Sequence, residues 1–380
     1  MDSRLNKYAE VLVDYSTRIK EGEQVLLRGG VLGAPLLNTV HKRILEKGAT
    51  AFVMPFLEHE KEIYFNSASD EVIQTVNPVL KHIYETFDAI ITIWAEGNTR
   101  SMTNVDPQKL QWHETALRDN SKIVLKRSEP WMKANAWDDV PKGALRWVGC
   151  QFPTPAVAMD AEMGMYEYTD FLYESVGALV KDPVKHWHTV AKQQQKYVDR
   201  LDKASWIHVI GPYIDMTFFV KGRKWINCDG RFNMPDGEVF TAPVEDKVNG
   251  WARFTYPSVM KSRLVEDIEI QMEDGLCTSA TAKTDDQTKF LNTMLDTDKY
   301  CRRIGELAFG LNPFITKGTK NILFDEKISK TMHMAFGVGY PETGSRNQDA
   351  GIHWDMVCDM SEGEIKADGE LIYKNGRFTF

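Results

Sequence analysis

The chain has few cysteines and no apolar run long enough to cross a membrane. Its cysteines are Cys150, Cys228, Cys277, Cys301 and Cys358. They form no CxxC pair, which argues against a disulfide scaffold and against a cysteine-rich zinc site. No stretch approaches the roughly 18 uncharged apolar residues of a transmembrane helix, and the opening residues "MDSRLNKYAE" lack a signal-peptide pattern. We therefore expect a protein of the reducing cytoplasm that has no membrane partner.

The sequence also lacks a segment rich in lysine and arginine. The net charge of −8 arises from mixed signs, and no dense lysine and arginine segment is interleaved with aromatic residues, so we expect no nucleic-acid partner. Low-complexity segments are absent as well, and 43% of the residues are hydrophobic, which indicates a globular protein. A chain of 380 residues is too long for one ordinary core, so its length predicts two domains or one large, elaborated domain.

The first half of the sequence alternates helical and strand-like segments. Strands are predicted for "GEQVLLRGG", "TAFVMPF", "DAIITIWA" and "KIVLKR", and helices for "SRLNKYAEVLVDYSTRI", "APLLNTVHKRILEKGA" and "DPQKLQWHETALRD". This order is typical of a mostly parallel sheet covered by helices. The turn "LLRGGVLGAPLL" lacks the full GxGxxG pattern, so no dinucleotide cofactor is predicted. We expect an N-terminal α/β domain over residues 1–182.

The second half has a different secondary-structure pattern. Short strands such as "SWIHVI" and "DMTFFVKG" are separated by Gly, Pro and Asp, and "DGELIYKNGRFTF" predicts a hairpin with a type I′ turn at Asn375–Gly376. The polar segment "PVKHWHTVAKQQQKYVDRLDKA" predicts a helix that joins the two halves. We therefore expect an α/β protein whose second domain, residues 183–380, is a mixed α+β, metal-binding catalytic domain.

Polar residues interrupt several apolar segments of this second half. Glu238 follows a Pro-Asp-Gly turn and begins an apolar strand, and Glu306 lies in "RRIGELAFGLNP", which we interpret as helical. His333 lies in the apolar segment "TMHMAFG". In "GIHWDMV", strand alternation places His353 and Asp355 on one face and the apolar residues on the other. Each residue alone is explained by a hydrogen-bonded polar group in a core.

Together, these residues predict a metal site. Buried carboxylates repel one another unless cations neutralise them. Nitrogen and oxygen donors without thiolate suit Zn²⁺, Co²⁺ or Mn²⁺, with Mg²⁺ as a further candidate. Three carboxylates and two histidines suit two ions better than one.

The segments "NMPDGEVFTAPVEDKVNG", "GELAFGLNP", "HMAFGVGYPE" and "HWDMV" occur in the order found in a known family. The chain resembles the thermophilic-type leucyl aminopeptidases, the family of aminopeptidase T, aminopeptidase S and PepS. The resemblance implies a two-metal exopeptidase, usually a homodimer, that removes residues from peptides with a free N-terminus. It also implies that Tyr340 belongs to the site. The implied metal ligands are Glu238, Glu306, His333, His353 and Asp355.

The same residues suggest a mechanism. Two divalent ions would lower the pKa of a bound water and polarise the scissile carbonyl. We expect Glu306 to bridge the ions, because a carboxylate can use both oxygens, and Tyr340 to donate a hydrogen bond to the developing oxyanion. The general base stays open at this point.

Two alternatives remain. His333, His353 and Asp355 also make the two-histidine, one-carboxylate set of a mononuclear Fe(II) ring-cleaving dioxygenase, and some dioxygenases of hydroxylated pyridines resemble this peptidase family. Such an enzyme has no need of Glu238 and Glu306, which favours the peptidase. A metal-stabilised binding protein without turnover is the third interpretation.

Overall fold

The computed structural model describes residues 2–380. The chain forms two compact units, of which the first extends to Thr189 and includes Gly230–Pro235. The second unit comprises Val190–Asp229 and Asp236–Phe380. The division at residues 189 and 190 falls inside a helix, whereas the boundary between residues 182 and 183 stays a prediction.

Most helices belong to the first unit. Their bounds are α1 Ser3–Glu10, α2 Ala34–Glu46, α3 Glu60–Ser67, α4 Asp70–Ile73, α5 Pro78–Thr86, α6 Pro107–Lys133, α7 Pro155–Asp160, α8 Met165–Ser175, α9 Pro183–Leu201, α10 Asp285–Leu295 and α11 Ile322–Asp325. Helix α1 continues as a π-helical segment, Val11–Ser16, and short 3-10 turns occur at Val31–Gly33 and Pro341–Thr343. None of the helices within residues 2–380 has the length and hydrophobicity that a membrane span requires.

The strands are distributed over both units. Those that precede α9 are β1 Gln24–Gly30, β2 Thr50–Phe56, β3 Ala89–Trp94 and β4 Arg146–Gln151. Those that follow it are β5 Trp206–Gly211, β6 Ile214–Phe219, β7 Ile226–Cys228, β8 Asn233–Met234, β9 Glu238–Thr241, β10 Val248–Arg253, β11 Ser258–Met260, β12 Arg263–Val265, β13 Glu269–Glu273, β14 Leu276–Thr281, β15 Ile304–Gly310, β16 Thr331–Gly337, β17 His353–Asp359, β18 Glu364–Ala367, β19 Glu370–Lys374 and β20 Arg377–Phe378.

A parallel sheet with the order β2–β1–β3–β4–β8 forms the centre of the first unit. Val25, Leu26 and Leu27 of β1 are all buried although they alternate between the two faces, so both faces of this strand are covered. Gly30 ends β1 where a Cβ atom would lie only 2.6 Å from the carbonyl oxygen of Ala95. The glycine is therefore required for close backbone packing. The predicted α/β class is confirmed.

One predicted strand of this unit is wrong. The segment "KIVLKR" belongs to α6, which starts after the N-cap Asp106 and runs unbroken to Lys133. Asn120, Ser128 and Trp131 are buried at helical spacing along it. Asn120 and Ser121, which precede "KIVLKR", favour a turn, but both lie within the helix. The burial pattern of the long helix therefore overrides the local turn and strand propensities.

Two larger sheets build the second unit. One is antiparallel with the order β14–β13–β10–β6–β5–β18–β19–β20, and the other has the order β17–β16–β15–β9–β7. Residues from both enter a single hydrophobic core, for example Val209 and Phe218 from the first sheet and Leu307, Met334 and Trp354 from the second. A small hairpin of β11 and β12 completes the strand set of this unit. The predicted change after α9, from alternating helices and strands to mostly short strands, is confirmed.

The two sheets of the second unit correct one expectation and confirm another. Glu306 lies in strand β15 and not in a helix, because Leu307 and Phe309 must face the common core while Glu306 and Ala308 face away from it. The C-terminal hairpin is formed by β19 and β20 as expected. Asn375 and Gly376 both have positive φ, 50° and 83°, as a type I′ turn requires.

Candidate metal centre

The predicted ligand residues lie on one face of the sheet that contains β9, β15, β16 and β17. The register places Glu306 beside Ala335, and Ala335 beside Asp355 on the next strand. Apolar residues between the polar ones point to the opposite face and enter the core, because side chains of a strand alternate. The predicted alternation in "GIHWDMV" is therefore observed. The residues brought together are Glu238, Glu306, His333, His353 and Asp355.

His333 is completely buried and faces two carboxylates with one ring nitrogen. Its Nε2 lies 3.2 Å from Oε2 of Glu238 and 3.3 Å from Oε1 of Glu306. Burial by itself lowers the pKa of His333, but the hydrogen bond with Glu306 and the charge of Glu238 raise that pKa to about 9. The surrounding carboxylates thus create a position that stabilises positive charge.

His353 contacts Glu306 as His333 does, and it also contacts Asp355. Its Nε2 lies 3.5 Å from Oδ2 of Asp355 and 3.8 Å from Oε2 of Glu306. Its Nδ1 lies 2.8 Å from the carbonyl oxygen of Val338, which cannot donate, so Nδ1 carries a hydrogen and donates it. This bond orients Nε2 towards the carboxylates. Glu306 consequently has one oxygen near each histidine.

The backbone that leads into Glu238 requires a glycine. Gly237, immediately before the strand, has a φ of +122°, a conformation that residues with a side chain rarely adopt. A Cβ atom there would lie 2.9 Å from Cβ of Asn312, whose Nδ2 donates to the carbonyl oxygen of Asp236 at 2.8 Å. Gln194 donates to the carbonyl oxygen of Glu238 itself at 3.1 Å. The backbone that carries this carboxylate is therefore held on both sides.

Sequence reasoning missed two residues, Glu326 and Lys327. The Nζ atom of Lys327 lies 2.6 Å from Oε1 of Glu238, 2.5 Å from Oε1 of Glu326 and 3.7 Å from Oδ1 of Asp236. Burial by itself lowers the pKa of Lys327, but these three carboxylates hold it well above its usual range. The segment "LFDEKISK" gave no signal, since three consecutive charged residues next to a short helix usually lie on the surface.

A buried aspartate fixes the turn that carries these two residues. Asp325 accepts hydrogen bonds from the backbone nitrogen and the hydroxyl of Thr319 at 2.6 and 2.8 Å. Its second oxygen accepts from the backbone nitrogen of Lys320 at 2.8 Å. The side chain of Asp325 therefore closes the loop that directs Glu326 and Lys327 inward.

Tyr340 lies at the accessible margin of the cluster. Its ring centroid is 5.6 Å from that of His353 in an edge-to-face arrangement and 5.5 Å from that of Phe240. The side chain keeps 38% of its surface exposed, whereas the neighbouring carboxylates are buried. A substrate that reaches the cluster from solvent would thus meet this tyrosine.

The donor set fits divalent metal ions. Ligand atoms of Glu238, Glu326 and His333 lie within 4.8 Å of one another, and so do those of Glu306, His333 and Asp355. All are nitrogen or carboxylate oxygen, the donors that Zn²⁺, Co²⁺ and Mn²⁺ accept. Oε2 of Glu238 and Oδ1 of Asp355 are buried without a hydrogen-bond donor anywhere in the described part of the chain. Buried acceptors of this kind require a cation or a donor.

Comparisons with known proteins agree with this chemistry. The family model described as "Thermophilic metalloprotease (M29)" matches residues 1–378. Aminopeptidase 2 of Geobacillus stearothermophilus is 26% identical, with 100% of this chain and 98% of that protein covered. Aminopeptidase T of Thermus thermophilus is 23% identical, with 99% and 96% covered.

Solved structures show the same fold. Wild-type AmpT from Thermus thermophilus superposes with a TM-score of 0.82 at 20% identity, over 99% of both chains. The 2,5-dihydroxypyridine dioxygenase of Pseudomonas putida KT2440 reaches 0.58 at 12% identity, over 99% of this chain and 96% of its own. At such identities both likenesses concern the fold alone.

The family predicted from four short motifs is thus confirmed, and so is the predicted class of metalloaminopeptidase at the level of the family. The match extends over both halves of the sequence, as the motifs implied. The chain belongs to the thermophilic metalloprotease family M29.

Proposed function

We propose that this protein is an aminopeptidase that uses two divalent ions, Zn²⁺, Co²⁺ or Mn²⁺, to remove N-terminal residues from peptides. One observation carries the proposal: two groups of metal-ligand atoms share His333, and each contains carboxylates of its own. One group contains Glu238 and Glu326, and the other contains Glu306 and Asp355. Two groups with a common member suit two neighbouring ions.

Divalent ions bound by these residues would supply a Lewis acid and a water of lowered pKa. The protein's own groups then account for the rest of the reaction. Glu306 has an oxygen directed at each histidine, so it is suited to hold both halves of the site together. Tyr340, at the exposed margin, is suited to donate a hydrogen bond to the oxygen that becomes negative as water attacks the peptide carbonyl.

Acidic side chains at the site also account for the choice of the substrate's end. A free α-ammonium group is attracted to an individual carboxylate, whereas an internal peptide bond has no such group. A carboxylate of the cluster can accept the proton of the attacking water and return it to the leaving amine. The proposed substrate is therefore a peptide with a free N-terminus.

Hydrolysis of leucine p-nitroanilide tests the proposal. The purified protein should release p-nitroaniline, lose this activity on chelation and regain it with Zn²⁺, Co²⁺ or Mn²⁺. Glu306→Gln should stay inactive with every ion, whereas Glu362→Gln, an exposed matched control, should behave like the wild type. Full activity in the chelated protein or in Glu306→Gln would contradict the proposal.

Metal analysis separates this proposal from its alternatives. A ring-cleaving dioxygenase would contain one iron per chain and consume oxygen, whereas the peptidase would contain about two Zn, Co or Mn ions. The contact of His333 with Glu238 as well as Glu306 supports the peptidase, since a three-ligand iron site does not need either carboxylate. A binding protein would retain metal and hydrolyse no member of a panel of aminoacyl p-nitroanilides.

The proposal also covers the catalytic domain, the cellular compartment and the oligomeric state. We assign catalysis to residues 183–380 and expect a cytoplasmic homodimer, an expectation that rests on family resemblance. Five buried, free cysteines suit a reducing compartment. Sedimentation equilibrium should give twice the monomer mass of 43.4 kDa.

A further inference from the structure

A lysine lies inside the candidate metal centre. Lys327 is completely buried, and its ammonium group contacts three carboxylates from two places in the chain. Asp236 and Glu238 flank Gly237 at the start of β9, and Glu326 precedes the lysine itself. A buried lysine with three acidic neighbours acts as a fixed positive charge within the centre.

The lysine is not equidistant from the two groups of ligands. Its contacts include Glu238 and Glu326, which belong to one group, whereas Glu306 and Asp355 belong to the other. The ammonium uses Oε1 of Glu238 and leaves Oε2 of the same carboxylate 3.2 Å from Nε2 of His333. One oxygen of Glu238 is thus directed to the lysine and the other to the shared histidine.

The charges of the centre are also consistent with a lysine that stays in place. Two divalent ions together with one lysine would balance five carboxylates, those of Asp236, Glu238, Glu306, Glu326 and Asp355. The balance does not make the two ion positions equal, because a cation repels a second cation most strongly at short range. An ion beside Glu238 and Glu326 shares its carboxylates with the ammonium group.

We propose that Lys327 is a built-in cation that positions Glu238 and Glu326 and competes with the divalent ion they hold, so that the two ions bind with unequal affinity. The ion held by Glu306, His353 and Asp355 binds tightly, and the ion held by Glu238 and Glu326 exchanges readily. The inference rests on the proposed function, because it requires that the centre bind divalent ions. The weaker position makes the binding of both ions, and therefore the activity, depend on the concentration of available metal.

Titration of the metal-free, full-length protein with Co²⁺ tests this role. Isothermal calorimetry counts the binding steps, and the visible absorption of Co²⁺ reports ligand changes at each step. The wild type should show a tight step and a step weaker by about tenfold or more. In Lys327→Met the weak step should tighten by about tenfold or more, while the tight step changes much less. Lys374→Met, which removes the lysine of an exposed pair with Glu364, is the matched control and should titrate like the wild type.

The outcomes are distinguishable. Two equal steps in the wild type, or an unchanged or weakened second step in folded Lys327→Met, would overturn the role of Lys327 while the proposed function survives. Absence of Co²⁺ binding in the wild type would overturn both. Lys327→Gln keeps a hydrogen-bond donor beside the carboxylates and should tighten the second step as well, which provides a second variant if the methionine is poorly folded by circular dichroism. Lys327→Arg keeps the charge and should retain a weak second step.

Discussion

The hydroxyl of Ser258 donates a hydrogen bond of 2.7 Å to the main-chain oxygen of Asp355. The same hydroxyl oxygen accepts a 2.7 Å hydrogen bond from the indole nitrogen of Trp354, which faces the core. One buried serine thus joins the backbone of Asp355 to the Trp354 side chain on the packed side of strand β17. Loss of its hydroxyl should therefore lower the stability of the protein around this strand.

Ser258→Ala should destabilise the protein by about 1–3 kcal/mol, because the indole N–H of Trp354 would be left buried without an acceptor. Chemical unfolding of the wild type and the variant measures the difference. Ser279→Ala, on an exposed position of another strand, is the control and should change the free energy of unfolding by less than about 0.5 kcal/mol. Equal stabilities of Ser258→Ala and the wild type would show that water replaces the serine.

Removal of metal should lower the melting temperature. Ions that bind only the folded state stabilise it by RT ln(1 + [L]/Kd), which is about 2.7 kcal/mol when the free ion exceeds its Kd by a factor of 100. Chelated protein should therefore melt several degrees lower than protein in excess Zn²⁺, and added Zn²⁺ should reverse the change. His353→Gln should reduce the Zn²⁺-dependent rise, since it removes the ring nitrogen that lies 3.5 Å from Asp355. A melting temperature independent of Zn²⁺ would contradict metal binding here.

Tyr340→Phe should reduce kcat for leucine p-nitroanilide by about 100-fold or more and leave KM within a small factor. Loss of one hydrogen-bond donor to a developing oxyanion has effects of that size, and the phenyl ring can keep its contact with His353. Steady-state kinetics under saturating metal separates the two constants. Tyr213→Phe, at an equally exposed tyrosine in the turn between β5 and β6, should keep both. A rise in KM without loss of kcat would assign Tyr340 to substrate binding instead.

Gly237→Ala should destabilise the protein and weaken metal binding by displacing Glu238. The φ of +122° at this glycine and the 2.9 Å distance that the new methyl carbon would have to Cβ of Asn312 act together. Gly222→Ala is the matched control, because Gly222 has a φ of +81° but nothing within 4 Å of the added atom. The control should cost only about 1–2 kcal/mol. Equal losses in the two variants would mean that crowding at Asn312 is unimportant.

Much of the fold and the centre was predictable. Alternation in "GIHWDMV" indicated that His353 and Asp355 lie on the face of the candidate centre, because the strand period of two holds whatever the neighbours are. The polar residues Glu238, Glu306 and His333 were conspicuous since each interrupts an apolar segment. The helix expected around Glu306 was wrong because a strand buried on both faces has no alternation that distinguishes it from a buried helix.

The order of the motifs, the family and the residue types that we propose as ligands could be read from the amino-acid sequence. That Glu326 and Lys327 join the centre became apparent only in the folded structure, since a hydrophilic turn carries no local sign of burial. Burial of Lys327 depends on acidic partners that lie far away along the chain, Asp236 and Glu238, and on the hydrogen bonds of Asp325 that close the loop. Such long-range compensation of charge arises only when the strands are assembled, which is why the sequence pattern alone did not reveal it.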